Sequence, residues 1–395
     1  MGSLNIALRE LKYIMGNKRM VVVMCLVPFL FILLFGIMYS PHVVKNIKTV
    51  VLDYNDTASS RAIIQGFKDS EKFQVVGQVT SELELRKMME NREITAGVVI
   101  PEDLDAKLKT GEGSTVLVVV NGTNMLFSNA VLSAANEIVG TFSAGASVKS
   151  IESGGNLLPG KAIPTAIPIR YAIRIWYNPT FNYLNFLLLG LVGTVVQQIV
   201  LLYVALSMVR EKVLGTLQEL TRYNALQIIS GKLLVYFVIN MLSANVIYYM
   251  CFSYFQVPFH GSLLTFEFLL SAFLLAIMAF GLMLSSISKD ELEATQIAML
   301  IAVPSFLLSG FTWPIQAMPP LAQVISGVLP LTYFVSDVRD VALMGINLNQ
   351  VLPSIYTLLT MTAILLPVAL WITHRQLKKE TARTVQVGNS KTLAS

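Results

Sequence analysis

Few residues in this chain have the type and spacing that chemistry needs. Gly155, Gly160 and Lys161 in GGNLLPGKA come nearest to a phosphate-cradling loop, with four residues between the glycines. Such a loop needs a Ser or Thr for Mg²⁺ after the lysine, a strand before it and a helix after it. Ala162 occupies the Ser/Thr place and neither flanking pattern is present, so the stretch reads as a flexible linker. His42, His260 and His374 sit at the ends of apolar runs and form no ligand-spaced cluster. Cys25 and Cys251 both fall inside apolar runs, too few for a cysteine metal site and ill-placed for a disulfide framework. No His/Asp/Glu/Ser cluster with catalytic spacing stands out, so the chain reads as a non-enzyme. The remaining concentration of charge is REKVLGTLQELTRYN, Arg210 to Asn224, lying between two very apolar runs.

The elements that must hold this stretch are membrane spans. Of 395 residues, 54% are hydrophobic and 13% charged, with mean hydropathy +0.63; soluble domains carry about 25% charged residues. Six runs reach the ~20 apolar residues a spanning helix needs: 20–40, 181–209, 232–255, 264–288, 295–311 and 351–373. Pro304 leaves the ends of the fifth poorly defined. No small-residue cleavage site follows the first, which reads as an uncleaved span.

Orientation follows from Lys and Arg in short loops. With both termini inside, the inner pieces carry 14 basic residues and the two short outer loops carry only Arg339. This places 210–231 in the cytoplasm between spans two and three, and 374–395 as a cytoplasmic tail.

Residues 41–180 differ in kind. Short β-rich runs (KTVVLDYND, KFQVVGQVT, TAGVVIPE, TVLVVVNG) alternate with helical ones, which predicts an α/β domain with a largely parallel sheet. The segment holds 14 basic and 14 acidic residues, so the net charge of +5 belongs to the membrane part. Trp176, Tyr177 and Tyr183 on the return to the membrane suit an interfacial aromatic belt. The fold class expected is a membrane all-α bundle of six transmembrane helices with an inserted α/β extracytoplasmic domain.

Residues 1–19 place Leu4, Leu8, Leu11 and Met15 at helical spacing, with Arg9, Glu10 and Lys12 on other faces: an amphipathic helix lying flat before span one. By the same geometry Glu211 to Glu219 forms a short amphipathic helix with Leu214 and Leu217 near one face; a solvated loop with a basic anchor for anionic lipid is the alternative. Polar residues inside spans face protein or water rather than lipid. Gln197, Gln198 and Asn240 are therefore candidates for a translocation path or for a hydrogen-bonded helix seam; Glu267 reaches toward the outer interface. Gly190/Thr194, Ala298/Ala302 and Ser305/Ser309 would let helices approach closely, which makes spans two and five candidates for a seam between two chains.

REKVLGTLQELTRYNALQIISGKLL resembles the cytoplasmic loop of ABC-2-type exporter permeases, matching at Arg210, Glu211, Lys212, Gly215, Thr216, Glu219, Gly231 and Lys232. It departs at Val213, often acidic in that family, and at Asn224-Ala225, where a Pro-containing turn is common. The order of one span, a large outer domain and five spans is also similar, as is SGFTWPIQAMPPLAQVISGVLPLTYFVSDVRDVALMG within the outer segment 312–350, whose Pro and Gly suggest a re-entrant pair of short helices. The resemblance implies a transporter permease of a bacterial inner membrane, with cargo moved outward. Arg210, Glu211, Lys212, Gly215, Thr216 and Glu219 would then form a coupling helix docked in a dimeric ATP-binding-cassette ATPase. Gly215 would permit close approach, and the charges would pair with the partner. ATP and Mg²⁺ would sit on that ATPase and no cofactor or metal on this chain; a second permease chain, identical or similar, would complete the unit, with the lipid bilayer around it and no nucleic acid. Few fixed charges in the spans suit an amphiphile such as a drug, peptide antibiotic or lipid. A sodium-efflux permease and a membrane-anchored scaffold acting through its outer domain, there engaging an envelope partner, are the alternatives.

Overall fold

The computed structural model describes residues 2–39, 44–110, 114–122, 125–153, 177–178 and 182–392. GGNLLPGKA and the aromatic Trp176 lie outside them. Two compact units emerge: Met1–His42 with Trp176–Ser395, and Val43–Ile175.

The chain begins with α1 (Gly2–Gly16). Asn17 ends it and caps α2 (Lys18–Tyr39), its carboxamide accepting the Met20 N–H at 3.3 Å. Residues Val22–Leu26 of α2 form a π-turn. The cause lies one turn on: Pro28 has no N–H to give the Met24 carbonyl. That oxygen instead accepts from the Ser243 hydroxyl at 3.5 Å.

The unit Val43–Ile175 alternates β1 (Ile47–Asp53), α3 (Ala58–Asp69), β2 (Phe73–Gln78), α4 (Glu82–Glu90), β3 (Ala96–Ile100), α5 (Leu104–Thr110), β4 (Leu117–Val120) and α6 (Met125–Ser153). The sheet order is β2-β1-β3-β4; β1 runs parallel to β2 and β3, and β4 is antiparallel to β3. Side chains alternate across a strand, so Ile47 and Val51 pack with Ile63, Phe67 and Val131 on one face, while Val50 and Leu52 meet Val79 and Leu85 on the other. Thr57 and Ser81 cap α3 and α4.

The other unit continues with α7 (Tyr183–Val213), α8 (Leu217–Leu220), α9 (Ala225–Ser253), α10 (Leu263–Ile287), α11 (Glu291–Leu308), α12 (Pro320–Val328), α13 (Pro330–Met344) and α14 (Leu348–Thr392). Among the described residues, α2, α7, α9, α10, α11 and α14 are the helices long and apolar enough to cross a membrane. The chain is a multi-pass membrane protein built as a helical bundle. The pair α12 and α13 is bent by 83°.

Helix α7 is the hub, buried along nearly its whole length against α10, α11, α13, α2 and α9. Gly281 of α10 serves this closeness, since a Cβ there would stand 2.9 Å from Val204 Cβ, and Gly190 of α7 leaves room for the Phe311 ring of the segment after α11, 2.3 Å from where its Cβ would be. Ala298, Ala302 and Ser305 are buried on α11, which packs on α7. The small residues expected between two chains are thus occupied within one, because the same absence of side chain that admits a second subunit admits a neighbouring helix first. Boundaries also move: α7 runs past 209 to Val213, and α9 begins at Ala225, ahead of 232. The fifth span begins at Glu291, capped by Asp290, and the segment after 373 continues α14 as helix instead of leaving it as a tail.

Candidate functional site

The charged stretch is not one helix. Helix α7 runs on to Val213, Leu214 closes it, and Gly215 turns left-handed at φ +70°. Glycine is the residue that adopts this conformation without steric cost, and it is a common way to end a helix. A Cβ at Gly215 would meet no atom within 4 Å, so the glycine serves the turn and not a close approach within the chain. A single turn, α8, follows, and α9 starts after Asn224, which makes a capping box with Gln227. Leu214 and Leu217, expected near one face, part company: Leu214 is 58% exposed and Leu217 is buried.

The charges of the loop also divide. Glu211, 7% exposed, turns inward rather than out. Its two oxygens receive the Arg9 guanidinium as a fork at 2.9 and 3.3 Å, the Lys232 ammonium at 3.0 Å and the Thr216 hydroxyl at 2.5 Å. Lys232 is 1% exposed and donates to Glu10 at 2.6 Å, Glu211 at 3.0 Å and the Ser207 carbonyl at 3.2 Å. An ammonium has three protons, and all three are placed. Glu10 is 4% exposed and accepts the Tyr236 hydroxyl at 2.8 Å through its other oxygen. Arg210 lies over the Tyr13 ring at 4.4 Å from its centre.

This cluster joins three elements, α1 lying some 200 residues ahead of the other two: α1 supplies Arg9 and Glu10, the end of α7 supplies Glu211, and α9 supplies Lys232 and Tyr236. What lets them meet is Gly231. A Cβ there would lie 2.6 Å from the Ser3 carbonyl oxygen and 2.8 Å from Ile6 Cβ, so α1 can sit on α9 only where α9 has no side chain. Helix α1 accordingly has two apolar sides. Ile6, Ala7 and Ile14 face the bundle with Glu10, while Leu4, Leu8, Leu11 and Met15 are left exposed. The Leu stripe was legible in the sequence; the second, buried side was not.

Lys212 points elsewhere. Its ammonium lies 3.0 Å from the Ser286 and Ser288 carbonyls and 3.4 Å from that of Ser285, at the end of α10. Thr216 bonds Glu211, as above. Glu219 is mostly exposed and 3.6 Å from Arg9. Val213, Leu214, Gly215, Gln218, Glu219 and Arg222 form the outward tip.

Of the mid-span amides, Gln197 is buried with its carbonyl oxygen unpartnered, beside a small void lined by Ile301, Ser305 and Pro330. Gln198 is exposed on the outer side of α7. Asn240 is buried and donates to the Tyr236 carbonyl at 2.7 Å. The three are not brought together. Arg9, Glu10 and Tyr236 were not foreseen; the signal available was a lone carboxylate one turn before Ile14 and a lysine opening an apolar run.

The chain matches the ABC-2 family transporter protein family over residues 18–371. It is 27% identical over 322 residues to a probable multidrug ABC transporter permease, YbhR, of Escherichia coli K12, covering 81% of this chain and 84% of that protein. A second such permease of the same strain, YbhS, is 31% identical over 175 residues, 44% of this chain and 46% of its own. ABC transporter G family member 20 of Dictyostelium discoideum is 28% identical over 178 residues, 44% of this chain and 24% of its own.

Proposed function

The chain belongs to the ABC-2 transporter family, and from that footing we propose that it is the permease subunit of an ATP-driven exporter that moves an amphiphile outward. The relatives named as multidrug permeases support a broad apolar cargo. The distribution of Lys and Arg supports both termini, and the tip Val213–Arg222, on the cytoplasmic side, with the unit Val43–Ile175 outside. ATP and Mg²⁺ belong to a separate ATPase; two permease chains and two ATPase subunits make the working assembly.

The observation that carries the reading is the division of the loop into an outward tip and an inward anchor. The tip offers two exposed apolar side chains, Val213 and Leu214, beside Glu219 and Arg222. A docking surface of that kind suits a cleft on a soluble subunit. Behind it, Glu211 is clamped to α1 and α9, so displacement of the tip reaches α2 through α1 and reaches α9 directly. Gln198 is an exposed polar group in the middle of a span, a costly arrangement against lipid; it fits a second permease chain or an aqueous path.

The test is purification from native membrane in mild detergent with identification of what accompanies the chain. A stoichiometric ATP-binding-cassette subunit is expected, and is lost when Leu214→Asp and Glu219→Lys are introduced together while the chain stays folded. A tip variant that retains its ATPase and exports normally would exclude the tip as the docking surface. Arg210 and Glu211 make poor probes of docking, because changing them disrupts the chain's own interior.

A further inference from the structure

Glu211 and Lys212 are consecutive, about 100° apart around the helix, and grip different parts of the bundle. Glu211 holds α1 and α9 through Arg9 and Lys232. Lys212 caps the last carbonyls of α10, groups that have no partner within their own helix and carry its negative dipole end. The same end of α10 is tied further. The Ser285 hydroxyl oxygen accepts the Met208 and Val209 N–H groups of α7 at 2.8 and 3.2 Å. Gln376 of α14 donates to the Ser286 carbonyl at 2.5 Å, and the Ser286 and Thr373 hydroxyls are 3.2 Å apart. Beside this node, Leu377 of α14 packs with Leu217 and Leu220 of the loop.

We infer that Lys212 is a positioning residue that carries motion of the loop to α10 and α14, while its neighbour Glu211 carries it to α1 and α9. The coupling stroke is divided between two adjacent side chains. Lys212 is not an ATPase-facing charge: its three donor directions are taken by the α10 carbonyls. The Glu211 clamp does not reach α10; the Ser285 hydroxyl joins it to α7 through neutral bonds, and the Lys212 cap adds a charged hold on its last carbonyls, so that the end of α10 moves with the end of α7. This rests on the exporter reading above, since a stroke needs a motor.

The experiment uses the assembled permease–ATPase complex in lipid nanodiscs for hydrogen exchange and in proteoliposomes for export. Lys212→Met is expected to keep the ATPase bound and hydrolysing while export per ATP falls at least tenfold; Lys212→Arg, which can still donate to the carbonyls, restores at least half. Amide exchange in 285–293 rises in Lys212→Met with 225–236 unchanged, a pattern that general loosening would not give. Gln376→Leu removes one tie to Ser286 without unpairing a charge, and shifts both readouts the same way by less, should the lysine variant fail to assemble. A Lys212→Met complex that keeps its ATPase, full export and unchanged exchange overturns the divided stroke. An unmodified chain that carries no ATPase overturns the exporter reading, and the stroke with it.

Discussion

At the scale of single residues, the buried cluster around Lys232 is an expensive arrangement. Each ion taken from water costs several kcal/mol, and mutual attraction returns that only if every partner is in place. Lys232→Met leaves Glu10 and Glu211 without their shared cation, and the expected loss of stability is about 3–5 kcal/mol. Thermal unfolding in detergent reads this as a large fall in midpoint, and combining the change with Glu10→Gln recovers part of it, because a neutral amide in that place needs no counter-ion. A double variant no more stable than the single one would mean that the two groups do not act together. The identities of Glu211, Gly231 and Lys232 were legible as a pattern. Their direction was not, since periodicity gives the face of a helix and not the neighbour that covers it. Glu10 was not legible because the leucine stripe marks the opposite side of α1 as the apolar one, and a single carboxylate between two basic residues reads as solvated.

At the scale of elements, two glycines decide how the loop is built. Gly215→Ala places a side chain at φ +70° and is expected to cost about 1–2 kcal/mol, whereas Gly215→Asn costs less because asparagine tolerates that region. The ranking Gly, Asn, Ala in unfolding midpoint checks it; an alanine variant as stable as the parent would mean that the turn is not held in the left-handed form. Gly231→Leu works differently, by filling the space that the Ser3 carbonyl and Ile6 occupy. It should lift α1 away from α9, and a protease cutting after Lys12 should then act at least several-fold faster than on the parent. The number and order of spans were legible because hydropathy over ~20 residues is a strong signal. The break at Gly215 was not distinguished from a continuous helix, since propensity allows both and only the turn back toward α9 requires it. The extension of α14 past residue 373 was missed for the opposite reason: its polar composition suits a tail until Leu377 finds Leu217 and Leu220.

At the scale of the whole molecule, the fold divides into a membrane unit and the sheet-bearing unit Val43–Ile175, the stretch in which strand and helix patterns alternate along the sequence. The arrangement expected across the membrane is open to direct test. With Cys25 replaced by alanine, a cysteine at exposed Leu83 should react with an impermeant maleimide on intact cells, and one at exposed Arg222 only after the membrane is opened. Labelling at position 222 on intact cells, with position 83 reacting only after the membrane is opened, would reverse the orientation drawn from the basic residues. The small residues read in the sequence as a candidate seam between two chains, Ala298, Ala302 and Ser305 among them, are buried within one chain, on the helix α11 that packs on α7. The second permease chain proposed above would use the surfaces left over, among which exposed Gln198 is the conspicuous polar group.

The clamp between Glu10 and Lys232 spans 222 residues of sequence, and this sets a timetable for biogenesis. At the usual 5–20 residues per second of synthesis, the carboxylate leaves the ribosome roughly 10–45 s before its ammonium partner. During that interval α1 lacks α9, the helix it packs on most heavily. The exposed row of Leu4, Leu8, Leu11 and Met15 would supply a waiting place, an apolar edge able to rest on a bilayer surface beside the newly inserted α2 until α9 arrives. On that timetable the helix would be parked by lipid first and locked by charge afterwards, and substitutions in the leucine row should lower the yield of assembled protein more than they lower the stability of what has already assembled.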